Sequence, residues 1–255
     1  MEPVFSQLLA ILNALWWPFC RTLALLSAAP VIGDNMVPVS VRVLLSLALA
    51  VVILPLVQGY QIDPFSLQGV VATAEQALIG FAIGLAFHMT MAIVMVLGYL
   101  VSSQMGLSMA TMNDPMNGTS SDVISSLLYM LCIIVFFSVD GHLVLTSILG
   151  ESFRAWPVGS GFQLIALQAL ALNVAWVFSA ALLLAIPVVF STLIVQVGFG
   201  FLNRVAPSLN LFSLGFSLVT LFGLLMLAQI VRFVPEHYIR MTGRVLEMLR
   251  HAMKI

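Results

Sequence analysis

Asp140-Gly141-His142 sets an acid two residues from an imidazole inside an apolar run, the pairing that a proton relay or a metal site needs. No second histidine or acid stands in helical register beside it, so a turn or helix break at Gly141 is the better reading. His88 is alone in an apolar stretch and reads as a packed or hydrogen-bonded side chain. Cys20 and Cys132 lie inside apolar runs and form neither a disulfide framework nor a metal-ligand cluster. Nothing matches a nucleophile motif, a glycine-rich phosphate loop or H-E-x-x-H. The expectation is a protein without catalytic residues, metal or cofactor. The remaining chemistry is charge beside apolar runs, which marks functional suspects. Arg21, Asp34, Arg42 and Glu75 are the main ones. An Asp34–Arg42 or Arg21–Asp34 pair is expected, with snorkelling of the arginines to lipid headgroups as the alternative.

These residues sit in an unusual background. Of 255 residues, 62% are hydrophobic and 7% are charged, and the mean hydropathy is +1.14. An ordinary soluble domain is roughly 45–50% apolar and roughly 25% charged. A water-soluble monomer of this size has too few polar residues to cover its surface. The net charge of −1 leaves no cationic footprint for nucleic acid. The class is an integral membrane protein or a subunit buried in a membrane assembly. The N-terminus lacks the positive n-region of a cleaved signal, and Arg21 interrupts its apolar run, so the first segment reads as retained.

Gaps between charges locate the elements. No Asp, Glu, Lys or Arg falls in the 38 residues between Glu75 and Asp114, the 49 between Arg154 and Arg204, or the 27 between Arg204 and Arg232. A membrane-crossing helix needs about 20 apolar residues. Apolar helical segments are expected near 5–29, 39–57, 70–101, 123–149, 163–200 and 209–234, with no repeat and no soluble domain. The segment 163–200 would be about 57 Å long, against a hydrocarbon core of about 30 Å, and Pro187 is expected to kink it. Residues 163 to 234 are expected to form an antiparallel hairpin turning at Arg204 to Ser208, with Asn203, Pro207 and Asn210 supplying the turn chemistry. The basic tail after Pro235 argues for a cytoplasmic C-terminus. Six full crossings would then put Arg204 outside and an acidic loop inside, so either the charges are too few for the rule or some segments do not cross.

Gln104 to Gly118 stands apart. Seven of the 14 methionines fall in the 28 residues from Met89 to Met116, far above even scatter. Thioether side chains mould to irregular or changing surfaces. Gly106, Gly118 and Asn113-Asp114-Pro115 make the backbone turn here. Irregular backbone at membrane depth is tolerated only inside protein or along an aqueous cavity. Two readings stand at this point: a compliant plug in a channel, or an exposed loop whose methionines pack on a neighbour. Gly80 and Gly84 form a G-x-x-x-G, which predicts close helix packing.

Four stretches together resemble a known family. They are Arg21-Thr22-Leu23-Ala24-Leu25-Leu26-Ser27-Ala28-Ala29-Pro30; Gln104 to Thr111 with Asp114-Pro115; Asp140-Gly141-His142-Leu143; and Leu202-Asn203-Arg204-Val205-Ala206-Pro207 followed by Leu211 to Phe216. In this order and spacing the chain resembles the FliR family, the R subunits of the export gate shared by flagella and type III secretion injectisomes. The family often has Asn where this chain has Asp140, and an aromatic where it has a plug methionine such as Met109 or Met112.

The resemblance implies an all-α, polytopic, membrane-associated bundle of long kinked helical hairpins. It implies a P-like part over 1–162, carrying a plug loop at 106–121, and a Q-like hairpin with a basic tail over 163–255. Met105, Gly106, Leu107, Met109, Met112, Asn113, Asp114, Pro115 and Met116 would line or plug the channel. The implied partners are P-type and Q-type gate subunits, a B-type switch protein, unfolded exported polypeptides and lipid. The implied location is the bacterial inner membrane at the flagellar basal body, partly raised above the bilayer. The Gln104 to Pro115 pattern leans flagellar, with an injectisome subunit as the alternative. A secondary transporter is the remaining reading; the charge-free spans and the absence of a repeat speak against it.

Overall fold

A computed structural model describes residues 2–34, 37–57, 62–107, 111–114, 119–161, 164–205 and 211–253. The described chain is helical apart from one short hairpin. Its helices are α1 (Glu2–Ala28), α2 (Val39–Ile53), α3 (Leu67–Gln104), α4 (Val123–Ser138), α5 (Gly141–Ala155), α6 (Leu164–Val205), α7 (Leu211–Val231) and α8 (Val234–Met253). A single 3₁₀ turn, Leu54–Leu56, follows α2. Strands β1 (Thr111–Asp114) and β2 (Thr119–Asp122) pair antiparallel between α3 and α4. This is the expected all-α, polytopic class. Among the described residues, three helical stretches, Val39–Leu56, α3 and Ala171–Val205, are long and apolar enough to cross a membrane. The number rises to five if α4 with α5, and α7 with α8, each count as one broken span.

The apolar run 123–149 is two helices, with the break expected at Gly141 in place: Asp140 takes a left-handed backbone (φ 54°) and its carbonyl starts α5 by accepting Leu143 and Val144 N–H. Asp is among the few non-glycine residues that adopt this conformation readily. The region after Pro235, read as a tail, is α8. Pro235 lies in its first turn, where a missing N–H costs nothing. Val234, Tyr238, Met241, Val245, Leu249 and Met253 form its buried stripe at helical spacing.

The chain folds as two compact units, 1–89 with 139–173 and 242–255, and 90–138 with 174–241. In the first, α1 lies directly on the N-terminal half of α3. A Cβ at Gly80 would stand 2.1 Å from the Arg21 carbonyl oxygen, and one at Gly84 2.4 Å from that of Leu25. Only glycine permits this approach. Trp16 Nε1 donates to Thr73 Oγ1 at 3.0 Å along the same seam. The turn into α2 is held by Arg42, which donates to the carbonyls of Val37 (3.0 Å) and Asp34 (3.2 Å).

In the second unit, α6 continues through Pro187 and α7 returns beside it. Phe199 lies against Gly215 near one end of the pair. At the other end, Leu183 and Pro187 of α6 and Ile230 of α7 bound a cavity of about 250 Å³. The two helices therefore run antiparallel. The turn expected at Arg204 to Ser208 falls mostly on 206–210, with Pro207 and Asn210, outside the described residues.

Candidate functional site

The hairpin between α3 and α4 falls in the methionine-rich stretch singled out by the sequence, and its two stems are built differently. The outgoing stem is the end of α3. Met105 N–H donates to the carbonyls of Val101 (3.1 Å) and Ser102 (3.2 Å), and Gly106 N–H to that of Ser103 (3.2 Å), so the last turn tightens. Gly106 then takes φ +73°, the left-handed ending that glycine provides at a helix C-terminus. The side chain of Met105 is fully buried. It lies flat over Gly223 of α7, where a Cβ would come within 2.4 Å of its Cγ. Thr220 Oγ1 donates to the Met105 carbonyl at 2.9 Å. A Cβ at Gly106 would stand 2.5 Å from the Phe216 ring.

The returning stem is fixed by Asp122, a residue the sequence reading missed. Its Oδ2 accepts the Ser125 N–H (3.0 Å) and the Ser125 hydroxyl (3.0 Å), which caps the start of α4. Its Oδ1 accepts the Ser102 hydroxyl, joining α4 to the end of α3. Ser125 Oγ also donates to the Met95 carbonyl at 3.0 Å, and a Cβ at Gly98 would stand 2.5 Å from Ser125 Cα. The signal for this lay in Ser-Ser-Asp-Val-Ile-Ser-Ser, a capping sequence entering an apolar run.

Between the stems, the backbone pairs Thr111 with Asp122, Met112 with Ser121, Asn113 with Ser120 and Asp114 with Thr119. Met112, Asn113 and Asp114 are thus on β1. Met109, Pro115 and Met116 lie outside the described residues. Leu107 is half-buried just beyond α3. Under the hairpin's root is an open cavity of about 430 Å³, bounded by Gln104 and Gly106, by Gln196, Phe199 and Asn203 of α6, and by Phe216 of α7. Arg204 is exposed in the last turn of α6, where a cation faces the negative end of the helix dipole.

A second polar cluster sits in the other unit. Arg21 is fully buried. Its guanidinium donates to Gln76 Oε1 (2.8 Å), Ser152 Oγ (3.0 Å) and the Trp156 carbonyl (2.8 Å). It also lies 3.9 Å above the Phe153 ring, a cation–π contact. The Glu75 carboxylate acts on it electrostatically. One arginine thus ties α1 to α3 and α5. His142 is half-buried near the start of α5. Among the described residues, no three His, Cys, Asp or Glu side chains converge as metal ligands.

Residues 12–245 match the model of the bacterial export proteins, family 1. The chain belongs to this family. It is 33% identical to the flagellar biosynthetic protein FliR of Escherichia coli K12, over 92% of this chain and 90% of that one. It is 32% identical to FliR of Pectobacterium carotovorum subsp. carotovorum over the same shares, and 28% identical to FliR of Bacillus subtilis 168 over 78% and 79%. The resemblance read from four stretches therefore holds over nearly the whole length. All four stretches of this export protein fall where helices end or break: the end of α1, the hairpin root, the α4–α5 break and the end of α6. Membership and apolar helices together make it a membrane component of the flagellar export apparatus.

Proposed function

We propose that the chain is a structural and gating subunit of the flagellar export gate, with the region Gly106 to Ser121 as its plug. The supporting observation is the hairpin itself. It is a short, polar, non-helical element between two apolar helices, and both stems are pinned to the helices beneath. A backbone that leaves the helix at membrane depth must line a cavity or fill one. A resting gate has to block ions and still yield to chains of any sequence. Methionines at 109, 112 and 116 suit that task, because thioethers deform at low cost and a dry apolar constriction blocks ions. The subunit acts by packing and displacement, without chemistry of its own.

In this reading P-type and Q-type subunits complete the channel wall, and a B-type switch protein meets its cytoplasmic side. The exposed apolar face of α6, with Leu182, Ile186, Phe190 and Leu193, meets Q-type hairpins. The division into a P-like 1–162 and a Q-like 163–255 describes kinship with those partners. Each compact unit takes residues from both parts. Raising part of the assembly above the bilayer accounts for helices longer than a hydrocarbon core.

The test is to shorten 106–121, or to replace Met109 and Met112 with Asp, in cells that still assemble the gate. Uptake of a small dye should rise in both. Uptake at the wild-type level, with the gate intact, would move the seal to another subunit.

A further inference from the structure

We propose that α7 is the latch of the plug: Thr220, Gly223 and Phe216 hold the Met105–Gly106 corner, and the hairpin stays closed only while that corner rests on α7. The inference deepens the plug reading and rests on it.

Three independent contacts converge on two consecutive residues. Thr220 takes up the Met105 carbonyl at 2.9 Å. That carbonyl lies just past the end of α3, where no further helical N–H follows to donate to it. Gly223 supplies the bare backbone on which the buried Met105 side chain lies. Phe216 covers Gly106, the residue whose positive φ redirects the chain out of α3. Positions 216, 220 and 223 are one turn apart, so they form a single stripe on α7. The stripe meets the outgoing stem at Met105 and Gly106. The returning stem is held by a carboxylate that bonds a hydroxyl and caps α4. A charge-assisted cap is about twice as strong as a neutral hydrogen bond. When the hairpin yields, the weaker, neutral side is the one that parts. The polar bond lost when Met105 departs is the neutral one from Thr220, and the Thr220 hydroxyl, which also donates to the Phe216 carbonyl at 3.0 Å, keeps a partner. The three residues act as positioning residues for the plug.

The experiment uses the complete gate in cells, with the hairpin sequence untouched. Thr220→Val removes the hydroxyl with little change of shape, and loss of one such bond should shift the closed-to-open ratio roughly five-fold. Dye uptake should rise several-fold while the amount of assembled gate stays constant. Thr220→Ser should restore wild-type uptake. Gly223→Ala should leak at least as much as Thr220→Val, since it lifts Met105. In a background with the shortened loop, neither substitution should add anything. If the shortened loop leaks but Thr220→Val and Gly223→Ala remain tight, the latch is overturned and the plug stands. Leakage from Thr220→Ser equal to that from Thr220→Val would also overturn it. If the shortened loop itself does not leak, plug and latch fall together. Should Gly223→Ala fail to assemble, Thr220→Val against Thr220→Ser decides the matter alone.

Discussion

The Arg21 cluster and the hairpin root are both places where distant helices are joined, and they are joined in opposite ways. Arg21 is one buried cation with three hydrogen bonds, an aromatic face and a neighbouring carboxylate. Removing any helix from it would strand a charge away from water, which makes the joint permanent. The hairpin root is held on its α7 side by one neutral hydrogen bond, a methionine over a glycine and a ring edge. No charge is stranded when that joint opens. The difference separates a joint that must never part from one that can part and reform.

The comparison breaks first at Arg21. Arg21→Met should leave two acceptors and the Trp156 carbonyl buried without donors, a loss of roughly 3–5 kcal/mol. Protein levels in membranes should collapse, and Arg21→Lys should rescue only part, because an ammonium cannot reach three acceptors in a fixed fork. Next comes Gly80→Ala. Its methyl group would meet the Arg21 carbonyl at a distance no packing allows, so about 1–3 kcal/mol should be lost as α1 is pushed off α3. A thermal unfolding series on the purified complex measures both.

The hairpin side should respond in kind rather than in amount. Asp122→Ala removes the α4 cap and the Ser102 acceptor at a cost of about 0.5–2 kcal/mol. The gate should still assemble, and dye uptake should rise. Arg204→Ala is expected to be the mildest change. The side chain is exposed and contributes only a helix-end interaction of about 0.3–1 kcal/mol, so thermal stability should barely move.

How much of this was legible follows from the kind of signal each part carries. Helix positions were readable because charges are rare enough that their gaps outline each apolar run, and the break at Asp140 was readable from Asp-Gly. Helix α8 was misread because its charges and Pro235 suggested a tail. The stripe from Tyr238 to Met253 was the signal that should have outweighed them. The strands could not be read, since Thr111 to Asp122 has neither apolar alternation nor β-branched enrichment. Close packing at Gly80 and Gly84 was visible as a spacing, but not that α1 was the neighbour. Arg21 was flagged as a charge in an apolar run. Its partners Gln76, Ser152 and Trp156 lie 55 to 135 residues away, a distance that no local pattern spans. Thr220 and Gly223 look like ordinary residues of an apolar helix until Met105 is seen resting on them.

Whether the hairpin closes a channel is decided by conductance. The gate should be purified with the proposed P-type and Q-type partners and placed in a planar bilayer, once intact and once with residues 111–122 replaced by a short Gly-Ser link. The intact complex should be silent under applied voltage, and the shortened one should show steady ohmic conductance. Equal silence from both, with the shortened complex fully assembled, would contradict the account.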